Sequence, residues 1–184
     1  MPHTILFSGH MIDQPDRATP RFPSSKEKAA GKAIRQELLK VLAINGSERC
    51  KGIAAAACGG DILFHESCQE LAIPSEIYIG LPVDEFNKTS VSFAGEDWEA
   101  RYRRLTQILP VHALFPEATA DAGDSIWEKA NNWMLQTALA DGVAHSTFIA
   151  LWDGNKGESG GTWQMIRMAE GHQVRTEIID LSAI

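Results

Sequence analysis

A doubly wound α/β fold, with a mainly parallel sheet and helices on both faces, is what this sequence predicts. Three observations carry it. Short apolar runs alternate with segments of helical spacing along the whole chain. The first, second, third and fifth of those runs are continuously apolar rather than alternating, which marks strands buried on both faces. Glycine turns join two of the runs to helix starts, the order in which α/β folds build their ligand sites.

The first strand covers residues 4–8 (TILFS) and ends at Gly9, His10 and Met11. Residues 12–23 form a long loop with three prolines and the charges Asp13, Asp16, Arg17 and Arg21, and a loop of this length is either functional or mobile. Ser24 and Glu27 make an S-x-x-E capping box that opens a helix. Ala30, Ile34, Leu38, Val41 and Leu42 lie on its buried face, and Asn45-Gly46 stops it. Residues 52–57 are a second apolar run, too short for a helix, broken by Gly59 and Gly60. Asp61 sits where an N-cap belongs, and residues 62–71 show helical spacing.

Residues 76–81 (EIYIGL) form the third strand, closed by Pro82, and residues 83–95 are a polar connection. Trp98, Tyr102, Leu105 and Leu109 place a helix over 96–109, which Pro110 ends. Residues 112–115 (HALF) make a short fourth strand, and 121–124 a turn. Ser125 and Glu128 form a second capping box, opening a helix that runs to about Asp141 with Trp127, Ala130, Met134 and Ala138 inward and Gly142 as cap. The fifth strand, 147–152 (TFIALW), breaks into a second glycine-rich loop, 153–162. A helix over 163–170, capped by Gly171, and a strand over 174–181 complete a single domain spanning 1–184.

The chain has 184 residues, 44% hydrophobic and 22% charged, enough for a proper core without staples. A net charge of −7 argues against a nucleic-acid backbone as main partner, since that role needs a basic face. No segment approaches the length of a membrane span, and MPHTILFSGHM has neither a charged n-region nor a long apolar run, so no signal peptide is expected. Cys50, Cys58 and Cys68 form no CxxC pair and read as reduced cytoplasmic thiols, of which Cys58 matters most because it abuts Gly59. The six histidines lack metal-site spacing, and neither a metal nor a cofactor is expected.

In a parallel sheet the loops after strand C-termini gather along one edge, where ligands bind. Gly9-His10-Met11, Cys58-Gly59-Gly60-Asp61 and residues 157–162 each follow a strand and therefore share that edge.

The loops ACGGD and GESGGTW, each before a helix, resemble the SLOG superfamily of Rossmann-like domains, which includes the Lonely Guy nucleotide phosphoribohydrolases and the DNA-processing protein A domain. FSGHMID, RFP, ACGGDILF, GLP and LWDG…GGT together resemble a bacterial branch found alone or beside signalling and tetratricopeptide modules. The resemblance spans nearly the whole chain, and it implies a nucleotide or nucleotide-derived ligand at the sheet edge. It further implies that Gly160, Gly161 and Thr162 cradle phosphate while Gly59, Gly60 and Asp61 line the opposite wall. Bare N–H groups and a hydroxyl at a helix start suit an oxyanion. The departure is catalytic. Where the phosphoribohydrolases place a glutamate three residues after the threonine, this chain has Met165, and their arginine-bearing motif has no clear counterpart.

Each further candidate has a functional and a plain reading. His10 could donate to a phosphate or base, or be a loop histidine. Arg17 and Arg21 suit a phosphate if the long loop folds over the site, and are otherwise solvated. Asp61 caps its helix or touches a ribose hydroxyl. Asp84 and Glu85, beyond the third strand, are the one credible acid/base pair, or solvated carboxylates. Asp153 of the LWDG motif lies at the same edge. Trp163 stacks a base or belongs to the core, and Asn131 and Asn132, poor helix formers in mid-helix, hint at a polar contact.

Two functions from different classes follow. One is a cytoplasmic binding module that senses a nucleotide or nucleotide-derived signal, with no nucleic-acid or membrane partner and a homo-oligomer allowed. The other is a hydrolase of an N-glycosidic bond that uses Asp84 or Glu85. An assembly domain with an empty pocket is the weaker third.

Overall fold

In the computed structural model six parallel strands form one sheet in the order β4-β3-β2-β1-β5-β6. The structure describes residues 2–115, 117, 125–157 and 160–184, and of Ser125 the backbone only. The turn expected at Asp121–Asp124, the Ser125 half of the second capping box, and Glu158 and Ser159 of the glycine-rich loop lie outside the described residues.

The strands are β1 (His3–Gly9), β2 (Cys50–Ala54), β3 (Ser75–Ile79), β4 (Val111–Ala113), β5 (Ser146–Trp152) and β6 (Arg175–Asp180). The helices are α1 (Glu27–Asn45), α2 (Gly60–Glu70), α3 (Val83–Ser90), α4 (Glu96–Ile108), α5 (Ser125–Ala138) and α6 (Thr162–Gly171). Alternation of side chains along β1 supplies both layers of core. Ile5 and Phe7 pack with α1 and α2, whereas Leu6 packs with Met134 and Leu135 of α5 and Met165 of α6. Phe7 stacks on Phe64 of α2 with ring centroids 4.8 Å apart. Gly52 leaves room for that ring, since a Cβ there would lie 2.9 Å from Phe64 Cζ.

The chain steps outward from β1 through β2 and β3 to β4, then returns to pair β5 with the other side of β1. The order therefore reverses between β1 and β5. Connections leave in opposite directions there and open a crevice at the strand C-termini.

Four expectations are corrected by the structure. Residues 83–90, expected as a polar connection, form α3. Pro82 precedes it, Asp84 and Glu85 sit in its first turn where the helix dipole favours them, and Phe86 and Ser90 are its buried pair. Two inward residues are too few to show as a periodic pattern. The Ser24–Glu27 capping box does not form: residues Ser24–Lys26 make a 3₁₀ turn without a side-chain cap, and the Glu27 carboxylate accepts from Arg101 Nη1 at 2.7 Å. Asp61 is not the cap of α2, whose N-cap position is Gly59. α5 ends at Ala138, three residues short of Asp141. Elsewhere the boundaries differ by one to three residues, as at β2, which spans Cys50–Ala54 rather than 52–57.

Candidate functional site

A cavity of about 750 Å³ lies at the C-terminal ends of β1, β2 and β3, beside the connection from β5 to α6. The loop after β1 roofs it through Met11, Asp13 and Arg17, and Trp127 and Asn131 of α5 form one wall. The start of α6 forms its floor from Gly160 to Trp163.

The first glycine turn serves packing. Gly9 and Gly60 cross backbone to backbone, so that a Cβ on either would approach the other's Cα to 2.8 or 2.7 Å. Gly59, at φ +103°, bridges Met11 in antiparallel fashion. The donors of this turn are spent internally: Gly60 N–H donates to His10 O at 2.9 Å, and Ile12 N–H to Cys58 O at 3.1 Å. These bonds tie the turn to the loop after β1, and the Asp61 carboxyl at its end disfavours an anion there.

The second turn is open. Gly160 takes a left-handed conformation at φ +78° and leads to Gly161, which is extended at φ −85°, ψ −179°. Among the described residues, the backbone N–H groups of Gly161, Thr162 and Trp163 have no acceptor, and all three residues line the cavity. The Thr162 hydroxyl accepts from Ser8 Oγ at 3.3 Å, which leaves its own proton to donate. Asn131 Nδ2 donates to Gly160 O at 2.7 Å and to Gln164 Oε1 at 3.2 Å, pinning the turn to α5. Lys156 Nζ lies 5.0 Å over the Trp163 ring and makes no ion pair among the described residues.

The roof is anchored by charge. Arg21 donates from Nε to Asp153 Oδ2 at 2.7 Å and from Nη2 to Oδ1 at 2.8 Å, a bidentate pair joining the loop to the end of β5. His10 Nε2 lies 3.0 Å from the same Oδ1. Asp13 Oδ2 accepts from the backbone N–H of both Arg21 and Phe22 at 2.8 Å, and Phe22 is wholly buried. The Arg21 hydrogen bonds hold the Asp153 carboxyl well below the usual carboxylate range. Burial, then the nearby Arg21 charge, pushes His10 down, so its imidazole is neutral at pH 7. Arg17 sits further out, its Nε 3.5 Å from Asp13 Oδ1.

Asp61 is the buried carboxyl of the cavity wall. Oδ1 accepts from Gly9 N–H at 3.1 Å and Oδ2 from Ala57 N–H at 3.3 Å. Its side chain thus ties the end of β1 to the connection after β2. Burial pushes its pKa from 3.8 up to about 7, against the opposing effect of those two N–H donors.

Of the residues singled out in sequence, Gly9, His10, Arg17, Arg21, Asp61, Gly160, Gly161, Thr162 and Trp163 meet on the cavity wall. Cys58, Gly59 and Gly60 lie behind it, and Asp153 reaches it through Arg21 and His10. Asp84 and Glu85 do not line it: Asp84 is exposed on the first turn of α3, and Glu85 pairs with Lys88. Sequence reasoning passed over Tyr78, Thr89, Ser90 and Phe93 as wall residues. None carries a local signal, because a strand tyrosine or a helix serine reads as ordinary. Asn131 did carry one, as a polar residue in mid-helix.

No protein-family model matches the chain, and no curated protein matches it. Among solved structures, DNA processing protein A from Streptococcus pneumoniae is similar in fold, with a TM-score of 0.56 at 11% identity. The likeness covers 96% of this chain and 50% of that one, so the chain spans about half the length of its structural neighbour. Both are α/β folds of the Rossmann-like kind.

Proposed function

We propose that this chain is a binding module that holds a nucleotide or nucleotide-derived molecule in the cavity at the strand C-termini, its phosphate against the α6 turn. The observation that carries the reading is the α6 floor on one side of a nucleotide-sized cavity: a donating Thr162 hydroxyl, three N–H groups without an acceptor and a Lys156 without an ion pair among the described residues. Affiliation with the SLOG superfamily belongs to the same proposal and rests on the motif order and the shared fold. Binding is favoured over turnover because position 165 is a fully buried methionine, and because Asp84 and Glu85 stand off the wall. DNA is disfavoured as a ligand by the net charge of −7. No helix among the described residues is long and apolar enough to cross a membrane, and we place the chain in the cytoplasm as a sensor or signalling domain.

Mass spectrometry of small molecules released on denaturing the natively purified protein tests this directly. A phosphorylated nucleoside derivative in stoichiometric yield is the expected result. Absence of any such ligand, together with no heat of binding for nucleoside mono-, di- or triphosphates, would overturn the reading.

A further inference from the structure

The two walls of the cavity meet at consecutive residues of β1. Thr162, at the start of α6, accepts from the Ser8 side chain, and Asp61, at the start of α2, accepts from Gly9 N–H. Ser8 and Gly9 are neighbours in β1, so the α6 turn and the Asp61 carboxyl line the same cavity close to the end of that strand. Both helix starts contribute to the cavity wall, yet they differ in charge. α2 brings its own carboxylate, whereas α6 presents bare donors.

Asp61 is also held in a fixed pose. Each oxygen takes one backbone N–H and keeps a lone pair, and no lysine, arginine or histidine among the described residues pairs with it. A carboxyl so placed accepts from a neutral hydroxyl at little cost. A second anion brought against a carboxylate this buried meets repulsion that solvent screens only weakly.

We propose that Asp61 is the specificity-determining residue of the cavity: it accepts a hydrogen bond from a sugar hydroxyl of a nucleoside 5′-phosphate and rejects a ligand phosphorylated at that hydroxyl. This deepens the nucleotide reading above and rests on it. The ligand class is thereby narrowed to ribonucleotides with their phosphate at one end only. Burial of the carboxyl, which raises its pKa to about 7, makes the discrimination strongest at pH 8, where Asp61 is ionised.

Titration calorimetry at pH 8 on the full chain decides it, using the ribonucleoside 5′-monophosphates of adenine, guanine, cytosine and uracil with their 2′,3′-dideoxy and 3′,5′-bisphosphate counterparts. The best ribonucleotide should bind at least about ten-fold tighter than either counterpart, because a site built around a hydroxyl rejects the analogue lacking it. In Asp61→Asn, which keeps the shape and removes the charge, the penalty on the bisphosphate should shrink to about three-fold or less. Asp61→Ser carries the same comparison should the Asn variant not fold, and the wild-type ratios stand by themselves should neither fold. Equal binding of the three ligand types by the wild type, or a bisphosphate penalty that survives removal of the charge, overturns the inference while leaving the nucleotide site in place. Failure of the wild type to bind any ribonucleotide defeats the nucleotide reading and this inference with it.

Discussion

Gly161 occupies an extended conformation open to any residue, so a branched side chain there alters the turn's accessibility without straining its backbone. Gly161→Val should weaken nucleotide binding at least ten-fold, about 1.4 kcal/mol or more, with the fold retained. Titration of the folded variant checks this, and an unchanged affinity would move the phosphate elsewhere. Gly160 behaves oppositely, because at φ +78° a Cβ would lie 2.2 Å from Trp127 Cβ. Asp61 makes a second prediction, about pH. In the unfolded chain it loses its proton near the ordinary 3.8, but in the fold it keeps it to about 7. Between those values the folded state binds more protons, so this group's contribution to stability falls as pH rises and levels off above 7. His65 acts in the other direction. Burial lowers it from 6.5 to about 4, so its contribution grows as pH rises through that window. Comparing Asp61→Asn with the wild type isolates the carboxyl. The melting temperature of the variant relative to the wild type should climb between pH 5 and pH 8, reflecting on the order of 2–4 kcal/mol. A pH-independent difference would mean that the carboxyl ionises freely.

At the scale of elements, two contacts set how the helices seat on the sheet. The crossing of Gly9 and Gly60 lets the end of β1 touch the start of α2, and Gly60→Ala should cost about 2–3 kcal/mol through overpacking against backbone that cannot yield. Gly31, inside α1, is the control. A Cβ there meets Leu63 Cδ2 at a comfortable 3.6 Å, so Gly31→Ala should be neutral or stabilise by up to about 1 kcal/mol. Urea unfolding of the two variants compares them. The second contact is Arg101 of α4, which donates to Glu66 of α2 at 2.6 and 3.0 Å and to Glu27 of α1 at 2.7 Å, with its side chain 17% exposed. Arg101→Ala should cost about 1–3 kcal/mol, since Glu66 and Glu27, and more weakly the exposed Asp97, lose a charged partner. Arg101→Lys should recover only part of that, because an ammonium cannot bridge three helices as a planar fork does. Recovery of full stability by lysine would show that charge alone matters. The same contact explains why the Ser24–Glu27 motif misled: Glu27 finds a better partner 74 residues away than the backbone three residues back.

At the scale of the whole molecule, Cys50, Cys58 and Cys68 are buried free thiols, and burial pushes each thiol up, Cys58 to about 12. Alkylation should therefore leave the native protein unmodified and label all three together on global unfolding. Early reaction of one would reveal a local opening. The sequence by itself determined the alternation of strands and helices and the parallel sheet, because continuous apolar runs, helical spacing and glycine turns are local properties of the chain. It also brought the loops after β1, β2 and β5 to one edge, since in a parallel sheet every strand ends on the same side. Tertiary structure alone decided the rest. Only strand pairing places β5 against β1 and so brings the α6 turn onto the cavity at the end of β1. Only long-range hydrogen bonds close the Gly59-Gly60 turn with the loop after β1, commit Arg21 to an aspartate 132 residues away and turn Asp61 from its own helix toward Gly9 and Ala57. Two glycine turns before helices look alike in sequence. Which one stays open to a ligand depends on whether a distant backbone reaches its N–H groups first, and local periodicity holds no record of that.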